Sequence, residues 1–174
     1  MEFSLKKSIE ILQNTPQTLK SYLSGLSEDW IRNNEGPDTW SPYDILGHLI
    51  HGEKTDWMDR VKIILKDSGN KKFTPFDRFA QFKENQNRTL SELLSEFKHL
   101  RENNIKELKS LNITEFQLKI KGIHPDFGSV TLAELIATWV AHDLGHIAQI
   151  SRVMAKQYKN EVGPWVKYLR ILNA

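Results

Sequence analysis

His142 and His146 stand four residues apart in the stretch TLAELIATWVAHDLGHIAQISRVMAK, Thr131 to Lys156. On an α-helix, positions i and i+4 share a face with Cβ atoms roughly 5–6 Å apart, so two such imidazoles can grip one metal ion. The spacing alone also fits a pair of hydrogen-bonded core histidines, and a third ligand decides between the readings. His48, in the apolar run Ile45-Leu46-Gly47-His48-Leu49-Ile50-His51, is the candidate. His51 shares roughly its face and is a fourth contact, a group behind a ligand, or a polar residue at the pocket rim. Three neutral imidazoles leave a divalent ion its full charge and an open position, the arrangement of catalytic rather than structural zinc. Such an ion acidifies a water or a thiol, and the residues do not say which one would attack. Zinc is the first expectation, and nickel, iron and manganese also accept imidazole.

Asp44, one turn before His48, and Gln149, three residues after His146, are candidates to orient a ligand or act as a base. Asp143 is rotated by about 100° from His142 and is expected at the surface or as a capping partner. No glutamate takes the place of the base in an HExxH protease. The chain has no cysteine. Disulfides, thiolate-bound zinc and an enzyme thiol nucleophile are therefore excluded, and any thiol chemistry must use a thiol brought by the substrate.

The elements that must carry these residues are helical. Leu132, Leu135, Ile136, Trp139, Ile147, Ile150 and Val153 recur at steps of three and four, and Thr131 with Glu134 forms a capping box at the start. Ser41, Pro42 and Asp44 open an earlier helix that runs toward Lys66 and ends before Gly69. Gly47 and Gly52 within it predict close packing or room for a substrate. Thr89 with Glu92 opens a third helix carrying Leu90, Leu93, Leu94, Phe97, Leu100, Ile105 and Leu108 inward, with His99 outside that stripe. The first segment repeats Leu5, Ile9, Leu12, Leu19, Leu23 and Leu26, and Pro16 predicts a kink or a restart with Thr15 as cap. Trp30 and Ile31 are expected to pack back onto the bundle. The aromatic loop from Gly69 to Asn87 reads as a lid or pocket wall at the metal end or as a strand-like crossover covering the bundle, with the crossover preferred. Phe116 to Ile120 alternates like a strand too brief to imply a sheet. Gly163-Pro164 starts a short final helix.

The 174 residues suit a single domain, 1–174, with its own core. A net charge of +2 and 26% charged residues lack the basic excess of a dedicated nucleic-acid binder. No apolar run is long enough to span a membrane, and the amino terminus lacks the pattern of a secretory signal, so a cytoplasmic protein is expected.

Trp40-Ser41 leading to His48-Leu49, then Gly128, Thr131-Leu132, His142-Asp143-Leu144 with His146, and Gln149-Ile150 together resemble the DinB-like superfamily. The resemblance runs from the TP-x-x-L of Thr15 to Leu19 through Glu96-Phe97 and Arg101. It implies an all-α four-helix bundle of up-down-down-up connectivity, with a divalent metal on one histidine of helix 2 and two of helix 4. Those positions are His48, His142 and His146. It places His124 in a connecting loop outside the ligand set, and it implies a homodimer. YfiT-like members are counted as metal-dependent hydrolases, and other relatives look like transferases joining bacillithiol or mycothiol to an electrophile, or like thiol-dependent isomerases. The expected function is transfer of a low-molecular-weight thiol to a small electrophile. The alternatives are metal-dependent hydrolysis and a non-catalytic metal- or ligand-binding module.

Overall fold

The computed structural model describes residues 1–67 and 69–173. Its helices are α1 (Leu5–Leu23), α2 (Glu28–Arg32), α3 (Pro42–Thr55), α4 (Trp57–Leu65), α5 (Ala80–Glu84), α6 (Leu90–Ser110), α7 (Glu115–Leu118) and α8 (Leu132–Lys156). A hairpin of β1 (Lys121–His124) and β2 (Gly128–Thr131) precedes α8, and the expected short final helix starts at Gly163 as a 3₁₀ helix, Gly163–Lys167, followed by a 3₁₀ turn, Arg170–Leu172. The long helices α1, α3 with α4, α6 and α8 form a four-helix bundle, connected up-down-down-up. Helices α3 and α6 run the same way, so the chain between them must travel the bundle's length, which accounts for the long segment between α4 and α6.

Helix starts follow the capping boxes. Ser41 Oγ accepts from the Asp44 amide while Asp44 Oδ2 accepts from the Ser41 amide, and Thr89–Glu92 and Thr131–Glu134 repeat the arrangement. Asp44 is thus spent on the cap, and its sequence assignment as a ligand partner or base does not hold. The expected single helix from Ser41 to Lys66 is interrupted at Asp56, whose backbone (φ −123°, ψ −71°) leaves the helical region. Thr55 Oγ1 donates to the His51 carbonyl at 2.9 Å, a side-chain bond that competes with the helix ladder and bends it.

Pro16 neither ends nor restarts α1, which is continuous through it. Its ring nitrogen cannot donate to the Leu12 carbonyl, and that carbonyl instead accepts from Arg101 Nη1 at 2.9 Å. Ile31 is buried and Trp30 meets Tyr158 edge-on, as expected for α2. Thr114 with Gln117 caps a single helical turn where a strand-like segment was expected, and the pairing begins only at Lys121. Gly128, at φ +70°, makes the turn that lets β2 return. Phe73 of the crossover donates its amide to the Ile123 carbonyl at 2.9 Å, tying the crossover to the hairpin.

The core falls into two apolar clusters. One gathers Leu12, Trp57, Ile105 and Trp139, the other Leu19, Ile50, Phe97 and Ile150. Between them lies a polar layer in which Arg101 of α6 meets the Leu12 carbonyl of α1, Glu53 of α3 and Asp143 of α8.

Candidate metal centre

The three histidines expected to share an ion are brought together. His48 comes from α3, and His142 and His146 from successive turns of α8. The Nε2 atom of His142 lies 3.1 Å from that of His48 and 3.1 Å from that of His146. An ion bound tetrahedrally at about 2.0–2.1 Å would hold two nitrogens about 3.3 Å apart. The His146 Nδ1–H donates to Gln149 Oε1 at 2.8 Å, which leaves the Nε2 of the neutral ring as a lone pair facing the other two nitrogens. Gln149 therefore has the orienting role expected of it.

Hydrogen bonding among the rings does not account for this convergence. His142 Nε2 carries either one proton or one lone pair, so it can make one of the two 3.1 Å contacts as a directed hydrogen bond and not both, whereas one ion meets all three nitrogens at once. Burial, reinforced by neighbouring His146, pushes His48 and His142 down to about 3, and burial likewise lowers His146. Neutral imidazoles with converging lone pairs are a metal donor set. Among the described residues the Nδ1 atoms of His48 and His142 have no hydrogen-bond partner, so of the three rings only His146 has its tautomer fixed by them.

His51 is outside the cluster. It is buried, its Nδ1 meets Glu84 Oε1 of α5 at 3.1 Å, and its ring lies 5.1 Å from that of Phe76. Of the alternatives open for it in the sequence, a fourth contact in the cluster is not adopted, and His51 does not bound the cavity beside the histidines.

Aromatic side chains wall the cluster. Trp40 packs on His48 with ring centroids 4.8 Å apart and runs nearly parallel to His146. Phe76 meets His48 edge-on at 5.4 Å, and Phe82 reaches Trp40. The aromatic crossover is therefore a wall of the metal pocket, and the preference for a plain cover over the bundle is corrected. Gly47 and Gly52 serve close packing: a Cβ on Gly47 would come within 2.3 Å of Asn85 Nδ2, and one on Gly52 within 3.2 Å of the Trp57 indole nitrogen. Trp57 then stacks on Trp139 at 5.6 Å and meets His142 edge-on at 5.1 Å.

Asp143 corrects a second expectation. It is fully buried, with Oδ2 and Oδ1 accepting from Arg101 Nη1 at 2.6 Å and Nη2 at 3.0 Å. Arg101 Nη2 also donates to Glu53 Oε1 at 2.8 Å, and Glu53 accepts from the Trp139 indole and from Asn104. Through these bonds and the Leu12 carbonyl, Arg101 on α6 touches α1, α3 and α8 at once. The sequence signal was present. Asp143 lies four residues after Trp139 on the apolar stripe of α8, and Arg101 lies four after Phe97 on that of α6.

A cavity of 220 Å³ opens on this cluster, bounded by His48, His142, Gly52, Trp57, Phe76, Asp56, Arg60 and His124. His124 is not part of the three-histidine cluster, yet it belongs to the cavity wall.

The family model of the DinB superfamily matches residues 11–150, a span that includes all three histidines. The chain belongs to the DinB superfamily. Among solved structures, this DinB chain is similar to YfiT from Bacillus subtilis, described as "a probable metal-dependent hydrolase with an unusual four-helix bundle topology". The TM-score is 0.72 at 20% identity over 93% of this chain and 91% of that one. No curated protein matches. Among the described residues, no helix of this DinB protein is long and apolar enough to cross a membrane.

Proposed function

We propose that this DinB protein is a metal-dependent enzyme that transfers a low-molecular-weight thiol to a small electrophile. The carrying observation is the set of three neutral imidazoles converging at the end of a small cavity. His48, His142 and His146 would hold a divalent ion, zinc before nickel, iron or manganese. When bound, that ion supplies Lewis acidity to a thiol or a water. The protein's own residues do the rest. Gln149 holds the His146 ring in its binding tautomer, and Trp40, Trp57 and Phe76 exclude water beside the imidazoles. With no cysteine in the chain, the thiol would be a cosubstrate. We place the protein in the cytoplasm as one domain, acting on a small molecule without nucleic acid or membrane, as a homodimer.

Hydrolysis is the second reading, favoured by the description of YfiT and by Asp56, a carboxyl on the cavity wall that burial raises to about 6. A carboxyl titrating near neutrality is suited to taking a proton from water. The test is to incubate metal-loaded protein with bacillithiol, glutathione or cysteine and monochlorobimane, beside the His142→Ala variant. Thiol conjugation above the variant's rate supports transfer. Turnover of esters or amides with no thiol-dependent rate puts hydrolysis in its place.

A further inference from the structure

The cavity has a second polar wall, formed by Arg60 and Asp56 near the α3–α4 break and by His124 at the end of β1. We propose that Arg60 and His124 bind the carboxylate of a small monoanionic substrate whose reactive end lies at the three histidines. The inference rests on the metal-site reading only for the direction in which the ligand lies.

Arg60 is 9% exposed, and its guanidinium sits over the Phe73 ring at 5.1 Å. Its Nε lies 2.6 Å from Asp56 Oδ1 but lacks the alignment of a hydrogen bond. Neither terminal amino group donates to a described residue. Only Nε is buried without a hydrogen bond, so the terminal amino groups reach accessible space on the cavity wall, where the planar fork of donors is open to a planar acceptor such as a carboxylate. His124 supplies a further donor. Its Nδ1 accepts the amides of Asp126 at 3.1 Å and Phe127 at 3.3 Å, so the ring proton resides on Nε2. Burial, with Arg60 next in effect, lowers its pKa, which keeps the ring a neutral N–H donor.

Charge and volume define the ligand class. Asp56 offsets part of the charge of Arg60, so the wall suits a monoanion better than a phosphate dianion. The cavity equals the share of about seven water molecules, which admits a short carboxylic acid and not a nucleotide. A thiol or an electrophile carrying a carboxylate a few bonds from its reacting atom fits between Arg60 and His48.

The test compares 3-mercaptopropionate with 3-mercaptopropan-1-ol by calorimetric titration of zinc-loaded protein. The carboxylate is expected to bind more tightly, and Arg60→Gln to weaken it about tenfold without changing the alcohol, the loss of one charge-assisted contact. His124→Leu is expected to give a smaller loss. Asp56→Asn removes the internal competitor for Arg60 and is expected to tighten the carboxylate, a gain that a merely structural pair would not give. Where Arg60→Gln does not fold, Asp56→Asn decides alone, and an unchanged affinity overturns the proposal. Folded Arg60→Gln protein that keeps its zinc and its preference for the carboxylate overturns the carboxylate wall and leaves the metal reading intact. Where neither thiol binds, the metal reading fails instead. Propionate titrated into the His142→Ala variant then decides: binding lost on adding Arg60→Gln upholds the wall, and no binding overturns it.

Discussion

Replacing Arg101 with leucine would cut the link that joins all four long helices. Arg101 is 1% exposed and Glu53 and Asp143 are also buried, so the trio holds one positive and two negative groups away from water. Removing the guanidinium strands Asp143, takes from Glu53 its paired cation while Trp139 and Asn104 still donate to it, and leaves the Leu12 carbonyl, already without a proline donor, unpaired. Breaking a buried ion pair from one side costs about 3–5 kcal/mol, and an unsatisfied buried carbonyl about 1–3 kcal/mol. These costs overlap, so a net loss of about 5 kcal/mol is expected, a large part of the stability of an ordinary domain. Asp143→Asn leaves Arg101 paired with Glu53 and is expected to cost only about 1–2 kcal/mol. Urea unfolding followed by circular dichroism measures both. An Arg101→Leu loss below about 1.5 kcal/mol with an unchanged urea slope would refute the view that this layer is a desolvated charge cluster clamping the bundle.

His48→Ala, His142→Ala and His146→Ala are each expected to lose most bound metal, and His51→Ala little or none. Metal content by plasma emission checks this, and wild-type occupancy in the His48 variant would sink the ligand assignment. Because His48 and His142 are lowered to about 3 against an ordinary 6.5, the unfolded chain binds protons first as pH falls. Metal-free protein therefore loses stability as pH falls from about 6.5 toward 3, by roughly a few kcal/mol in all. Urea midpoints at several pH values test it, and a midpoint flat or rising on acidification contradicts it. The same burial moves metal loss below the pH of about 6 expected for ordinary histidines, which equilibrium dialysis against acidic buffers would show. Trp165 and Tyr168, 67% and 80% exposed, fit a subunit contact, and light scattering at micromolar concentration is expected to give a dimer, with a monomer as the contrary result.

The helices and the histidine pair of α8 were legible because their signals are local, whereas His48, 94 residues from His142, was joined to them through the family resemblance. Capping boxes at Ser41, Thr89 and Thr131 mark the starts within a residue, and His142 and His146 lie a turn apart on one chain segment. Asp143 was misjudged because its angle was measured from His142, while its partner Arg101 lies 42 residues away and its true reference was the stripe through Trp139. Asp56 and Arg60 were hidden for another reason. Nothing in the run Thr55 to Arg60 announces the helix break except a threonine hydroxyl turned back on its own helix. The crossover's role needed distances too, since an aromatic loop reads the same whether its rings face a metal site or an apolar surface.

The tryptophans against the histidines give the site an optical signal of its own. Trp40 lies 4.8 Å from His48 and Trp57 5.1 Å from His142, ring centre to ring centre. An excited indole so near an open-shell ion such as nickel or iron loses its energy before it can emit, whereas zinc, with a filled d shell, offers no such route. The emission of freshly purified protein before and after chelation thus distinguishes a closed-shell from an open-shell native ion, with no label attached and no reaction assumed.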